Sequence, residues 1–92
     1  MNERVHLIVS GNVQGVFFRQ FVMEHAIQFS LKGWVRNLSN GTVEVLAEGE
    51  KEGLKEMVLR CHQGPSGARV DKVKSEWLHA QGDLLNFTVL HT

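Results

Sequence analysis

The sequence predicts an α+β fold of the split βαβ sandwich type, with an antiparallel sheet, two helices on one face and a short extra C-terminal strand. Three observations carry that expectation. Hydrophobic periodicity switches between two and 3.6 residues in the order strand, helix, strand, strand, helix, strand. Asn40-Gly41 sits between two strand-like runs, where easy access to positive φ makes it a strong hairpin signal. Gly64-Pro65 closes the second helical run, and two amphipathic helices need one apolar sheet face to cover.

Each element follows from its own pattern. Val5, Leu7 and Val9 alternate with His6, Ile8 and Ser10, which predicts a first strand reaching Gly11, followed by a loop over 11–16. Phe18, Phe21, Val22, His25, Ala26 and Phe29 recur at three- and four-residue steps, so a first helix is expected, stopping near Lys32-Gly33. Residues 34–38 and 42–48 form the second and third strands as antiparallel neighbours. Leu54, Met57, Val58 and Cys61 give the stripe of the second helix. After a loop over 65–68, a fourth strand is expected from 69 to about 78, and a weaker fifth over 87–90 follows Gly82-Asp83.

Ninety-two residues enclose one hydrophobic core, so a single domain over 1–92 is expected, and the 42% apolar content excludes a disordered chain. Ten Lys plus Arg balance ten Asp plus Glu, leaving no overall field to draw the molecule to nucleic acid or to an anionic membrane. Any anion must be caught by a local arrangement. The single cysteine cannot form an internal disulfide, the opening segment has Glu3 and Arg4 beside too short an apolar run for a signal peptide, and nothing approaches the roughly 20 apolar residues of a membrane span. A cytoplasmic monomer is the expectation. His6, His25, His62, His79 and His91 lack the H-E-x-x-H spacing and Cys61 has no C-x-x-C partner, so no metal is expected; Cys61 lies on the helical stripe and is assigned to the core. Glu44 and Glu48 share a strand face and are read as solvated.

The segment Val9-Ser10-Gly11-Asn12-Val13-Gln14-Gly15-Val16-Phe17-Phe18-Arg19 sets two glycines between a strand end and a helix start. Such a loop can turn N–H groups inward around an anion, and the helix N-terminus adds its positive dipole end. Arg19 in the first helical turn is disfavoured by that dipole unless an anion is present, and its guanidinium offers a planar fork to two phosphate oxygens. Taken alone, Arg19 better suits a solvated surface arginine paired with a nearby carboxylate, the commoner use. Asn37, taken alone, suits an ordinary turn position.

Gly11-Asn12-Val13-Gln14-Gly15-Val16-Phe17-Phe18-Arg19 resembles the first signature of the acylphosphatase family, and Gly33-Trp34-Val35-Arg36-Asn37-Leu38-Ser39-Asn40-Gly41-Thr42-Val43, continuing to Gly49, resembles its second. The resemblance spans nearly the whole chain. It implies a ferredoxin-like fold and hydrolysis of an acyl phosphate to a carboxylate and inorganic phosphate, without metal or cofactor. It also implies that Arg19 and the backbone N–H groups of Asn12, Val13, Gln14, Gly15, Val16, Phe17 and Phe18 hold the phosphoryl group, while Asn37 positions the attacking water. The chemistry is consistent with so few groups: phosphoryl transfer is governed by positioning and charge stabilisation, and a carboxylate leaves without much help from an acid.

Two other classes compete. A phosphate-binding module without turnover would keep the cradle, but it gives no reason for Arg19 and Asn37 together. A single-stranded RNA binder needs exposed aromatics on the third strand, which instead reads Thr42-Val43-Glu44-Val45-Leu46-Ala47-Glu48. Both motifs address the phosphoryl end and the water; neither defines where an acyl group would sit.

Overall fold

The computed structural model describes residues 1–91. Its elements are β1 (Asn2–Asn12), α1 (Phe18–Gln28), β2 (Lys32–Asn37), β3 (Val43–Glu50), α2 (Lys51–Gln63), β4 (Arg69–His79) and β5 (Phe87–Leu90). The sheet order is β4-β1-β3-β2-β5. The four longer strands pair antiparallel, as their sequence order leads one to expect, whereas β5 joins β2 in parallel and makes the sheet mixed. Residues 80–86 carry the chain from one sheet edge to the other, so Phe87 enters beside Gly33 and runs in the direction of β2.

The alternation read in β1 decides which face is buried. Val5, Leu7 and Val9 join Val35, Val43, Val45 and Ala47 beneath Phe18, Val22 and Ala26 of α1 and Leu54, Met57 and Cys61 of α2. Each large side chain fully buried there contributes about 1.5–3 kcal/mol. Cys61 is in the core as expected, and burial pushes its thiol up to about 12, far from a thiolate. Among the described residues no helix is long and apolar enough to cross a membrane.

β2 (Lys32–Asn37) and β3 (Val43–Glu50) are shifted from the expected bounds, and two further boundaries differ where a glycine serves a contact across strands. β1 does not stop at Gly11: after a bulge at Ser10/Gly11 it continues through Asn12, pairing with Val70 and Arg69. A Cβ on Gly11, at φ 131, would lie 2.1 Å from the Arg69 carbonyl oxygen. The first helix ends at Gln28 rather than near Lys32-Gly33. Ser30 takes φ 58, Leu31 N–H donates to Ala26 O at 2.8 Å and Ser30 N–H to Ile27 O at 3.0 Å, a Schellman closure completed by burial of Leu31. Gly33 is left to let strands approach, since a Cβ there would lie 1.9 Å from Leu46 O.

The open face of the sheet also departs from expectation. Glu48 is only 6% exposed and accepts from Arg4 Nε at 2.7 Å, Gln81 N–H at 3.0 Å and Gly82 N–H at 2.9 Å. Glu44 accepts from Arg36 Nε at 2.6 Å and pairs with His6 Nε2 at 2.7 Å. Neither carboxylate belongs to a freely solvated face.

Candidate active site

Three strands, β1, β2 and β5, finish at the same end of the sheet, where α1 begins. The connection from β1 to α1 is held by its own side chains. Val13 is buried in the core, and Gln14 Nε2 donates to Leu38 O at 2.8 Å and Thr42 O at 2.9 Å, strapping the loop to the β2–β3 hairpin. Gly15 at φ 74 and Phe17 at φ 64 are left-handed. Left-handed residues in a turn before a helix can direct backbone N–H groups towards one concavity. Phe17 is also the N-cap of α1, gives no side-chain cap, and no acidic residue follows in the first turn. The leading N–H groups of the helix are thus left to another acceptor.

Arg19 is the second residue of α1 and is half-buried. Its Nη1 donates to Leu90 O at 3.4 Å and to His91 Nδ1 at 3.2 Å, so among the described residues the partners of the guanidinium are neutral acceptors at the end of β5. The imidazole must present an unprotonated Nδ1 to accept. Asn37 is the last residue of β2, opposite Val43, and its side chain falls on the helix-covered face with Val35. Its Oδ1 is buried, and no donor among the described residues reaches it. An orphaned buried acceptor costs about 1–3 kcal/mol, a penalty that a hydrogen-bond donor brought by a ligand would relieve.

Both side chains line one cavity of about 490 Å³. Of the residues expected to form the site, Val13, Gly15, Phe17, Phe18, Arg19 and Asn37 line it. Asn12 lies at the end of β1, paired with Arg69; Gln14 turns its amide to the hairpin; Val16 packs against the core. Gln20, Met23, Val89 and His91 complete the lining without having been foreseen. Reading the alternation of Phe87 and Val89 one step further to His91 is the sequence signal that would have found the last two. Among the described residues no three His, Cys, Asp or Glu side chains converge. A cation, an uncapped helix start and a buried acceptor around one cavity can bind an anion and orient one hydrogen-bond donor beside it.

The family model described as Acylphosphatase matches residues 5–89. The acylphosphatase of Pyrobaculum islandicum is 42% identical over 92 residues, covering 99% of this chain and 97% of that protein. The acylphosphatase of Anaeromyxobacter dehalogenans is 46% identical over 86 residues, covering 94% and 92%. Among solved structures, the acylphosphatase from Bacillus subtilis matches with a TM-score of 0.93 at 33% identity, covering 99% of this chain and all of that one.

Proposed function

The chain belongs to the acylphosphatase family and is an enzyme of that kind, and on that premise we propose how it works: Arg19 and the 12–18 loop bind the phosphoryl group of an acyl phosphate while Asn37 directs water onto phosphorus. The domain over 1–92 acts as a cytoplasmic monomer on a small-molecule substrate and releases inorganic phosphate. The observation that supports this division of labour is the buried Asn37 Oδ1, orphaned among the described residues in the same cavity as Arg19.

Water donates one hydrogen bond to Asn37 Oδ1, which leaves an oxygen lone pair aimed at phosphorus. The O–P bond from water forms as the bond to the carboxylate oxygen breaks. Charge in this loose transition state lies on the phosphoryl oxygens, where Arg19 and the N–H groups of the loop stabilise it. An amide is not a base near neutral pH, so the proton of the water passes to a phosphate oxygen, and the carboxylate departs as the anion. Neither a metal nor a cofactor enters this scheme.

The test is hydrolysis of benzoyl phosphate at neutral pH with chelator present, for the unmodified chain, Arg19→Ala and Asn37→Ala. The expected result is chelator-resistant turnover, lost in both variants, with inorganic phosphate binding weakened by Arg19→Ala and kept by Asn37→Ala. Equal loss of phosphate binding in both would contradict the assigned roles. An unmodified chain that folds and binds phosphate without turnover would be a phosphate-binding module.

A further inference from the structure

Phe17 combines two unfavourable features at one position. Its backbone is left-handed, which strains a bulky L-residue, and its side chain is 83% exposed. Glycine makes such a turn without strain, as Gly15 does two residues earlier. The turn therefore does not account for the phenylalanine. Neither does the core, which the ring does not enter. Strain and apolar exposure at one residue beside a cavity point to a ligand contact, and Phe17 lines the cavity shared by Arg19 and Asn37.

The apolar lining continues along the seam between α1 and β5. Met23 follows Arg19 at i+4, on the same helix face, and Val89 lies in β5 two residues before His91, which follows the strand end. Both are part-buried and line the cavity. Its volume of about 490 Å³ is of small-molecule size, far more than one phosphoryl group requires. Among the described residues lining it, Arg19 carries the one fixed charge, so a second anionic group on the ligand would meet no further cation.

We propose that Phe17, Met23 and Val89 form an acyl subsite that selects acyl phosphates whose acyl group is uncharged, apolar and of about aryl size. This rests on the acyl phosphate reading of the same cavity. The phosphoryl group occupies the Arg19 end, and the acyl group lies over Met23 and Val89 with the Phe17 ring closing against it.

The experiment compares kcat/KM for benzoyl, acetyl and succinyl phosphates in the unmodified chain and in Phe17→Gly, Phe17→Asn, Phe17→Trp and Met23→Gln, with thermal melting of each protein as the check on folding. The benzoyl-to-acetyl ratio should fall at least fivefold in Phe17→Gly, Phe17→Asn and Met23→Gln, chiefly through a higher KM for benzoyl phosphate. Phe17→Trp should keep the ratio within twofold, and succinyl phosphate should be at least tenfold poorer than benzoyl phosphate throughout. Ratios unchanged in every folded variant, or succinyl phosphate used as well as benzoyl phosphate, would overturn the subsite and leave the acylphosphatase reading standing. Hydrolysis of none of the three by the unmodified chain would instead remove the reading on which the subsite rests.

Discussion

The two faces of the sheet treat polar groups in opposite ways. On the open face Glu48 gathers a guanidinium and two backbone N–H groups, Arg4 reaches Asp83 as well, and Glu44 is shared by Arg36 and His6, with the Arg36 guanidinium 5.2 Å above the Trp34 ring. At the strand ends beneath α1, Asn37 Oδ1 is buried with no donor among the described residues, Arg19 leans on neutral acceptors, and the helix start has no side-chain cap. Satisfied polar groups hold a fold together. Groups left unsatisfied at a cavity are a cost that folding alone does not explain, and they mark where a ligand completes the structure. The contrast predicts that substitutions on the two faces separate stability from activity.

The largest effect on activity is expected at Arg19. Arg19→Ala should lower kcat/KM by about 10³–10⁵-fold, the range for an arginine that stabilises phosphoryl-transfer charge, while urea unfolding shifts by no more than about 1 kcal/mol, because the hydrogen bonds lost among the described residues are to neutral acceptors. Asn37→Ala follows, with turnover down by about 10²–10³-fold, as for loss of one positioned polar group. Its stability should be equal to or above that of the unmodified chain, since the change removes an orphaned acceptor. A loss of stability at Asn37 would show that its oxygen serves the fold, and the contrast would fail there.

Glu48 should behave in the reverse manner. Glu48→Gln should cost about 1–3 kcal/mol of stability, by weakening charge-assisted bonds that anchor residues 81–82 over the sheet, and leave turnover within twofold. Burial pushes the Glu48 carboxyl up, but the N–H groups of Gln81 and Gly82 and the Arg4 guanidinium more than offset it, and the group titrates below the usual carboxylate range. Glu44 is lowered similarly, burial being outweighed by His6 and Arg36. A carboxyl lowered on folding contributes stability that is present above its unfolded value, about 4.3, and lost as pH falls through the folded one. Urea midpoints measured from pH 7 to pH 3 should therefore drop in the acid range, and less steeply in Glu48→Gln.

Legibility in the sequence follows the same division between local and distant contacts. The alternation of β1 and the Asn40-Gly41 turn are local, and both appear where they were read. Gly11 and Gly33 were read as a loop start and a helix stop, because no local pattern distinguishes those uses from a strand approaching within 2.1 Å or 1.9 Å of where a Cβ would stand. Arg19 and Asn37 are singled out by two family motifs and not by their residue types, each of which has a commoner ordinary use. The return of β5 beside β2, which brings Leu90 and His91 to Arg19 and Val89 into the cavity, depends on a parallel pairing that no run of residues encodes by itself. The solvated reading of Glu44 and Glu48 failed for the same reason: their partners lie on other strands and in the 80–86 connection.

The smallest effect should come from Ser30, and it sharpens the case for Phe17. Helix α1 is bracketed by the two non-glycine residues with positive φ among those described, Phe17 at φ 64 and Ser30 at φ 58. Ser30 is exposed and occupies the left-handed position of the Schellman closure, where glycine is the usual residue. Ser30→Gly relieves about 1–2 kcal/mol of strain but enlarges the conformational freedom of the unfolded chain, which returns about 0.4–1 kcal/mol. A net gain of about 0.5 kcal/mol, or roughly 2–4 °C in Tm for a domain of this size, is expected with no change in substrate preference. Phe17→Gly relieves the same kind of strain and should also melt no earlier than the unmodified chain, yet it should lose selectivity for benzoyl over acetyl phosphate. If both glycines stabilise and only the one at position 17 alters selectivity, the strain at Phe17 is tied to its ring and not to the helix it begins.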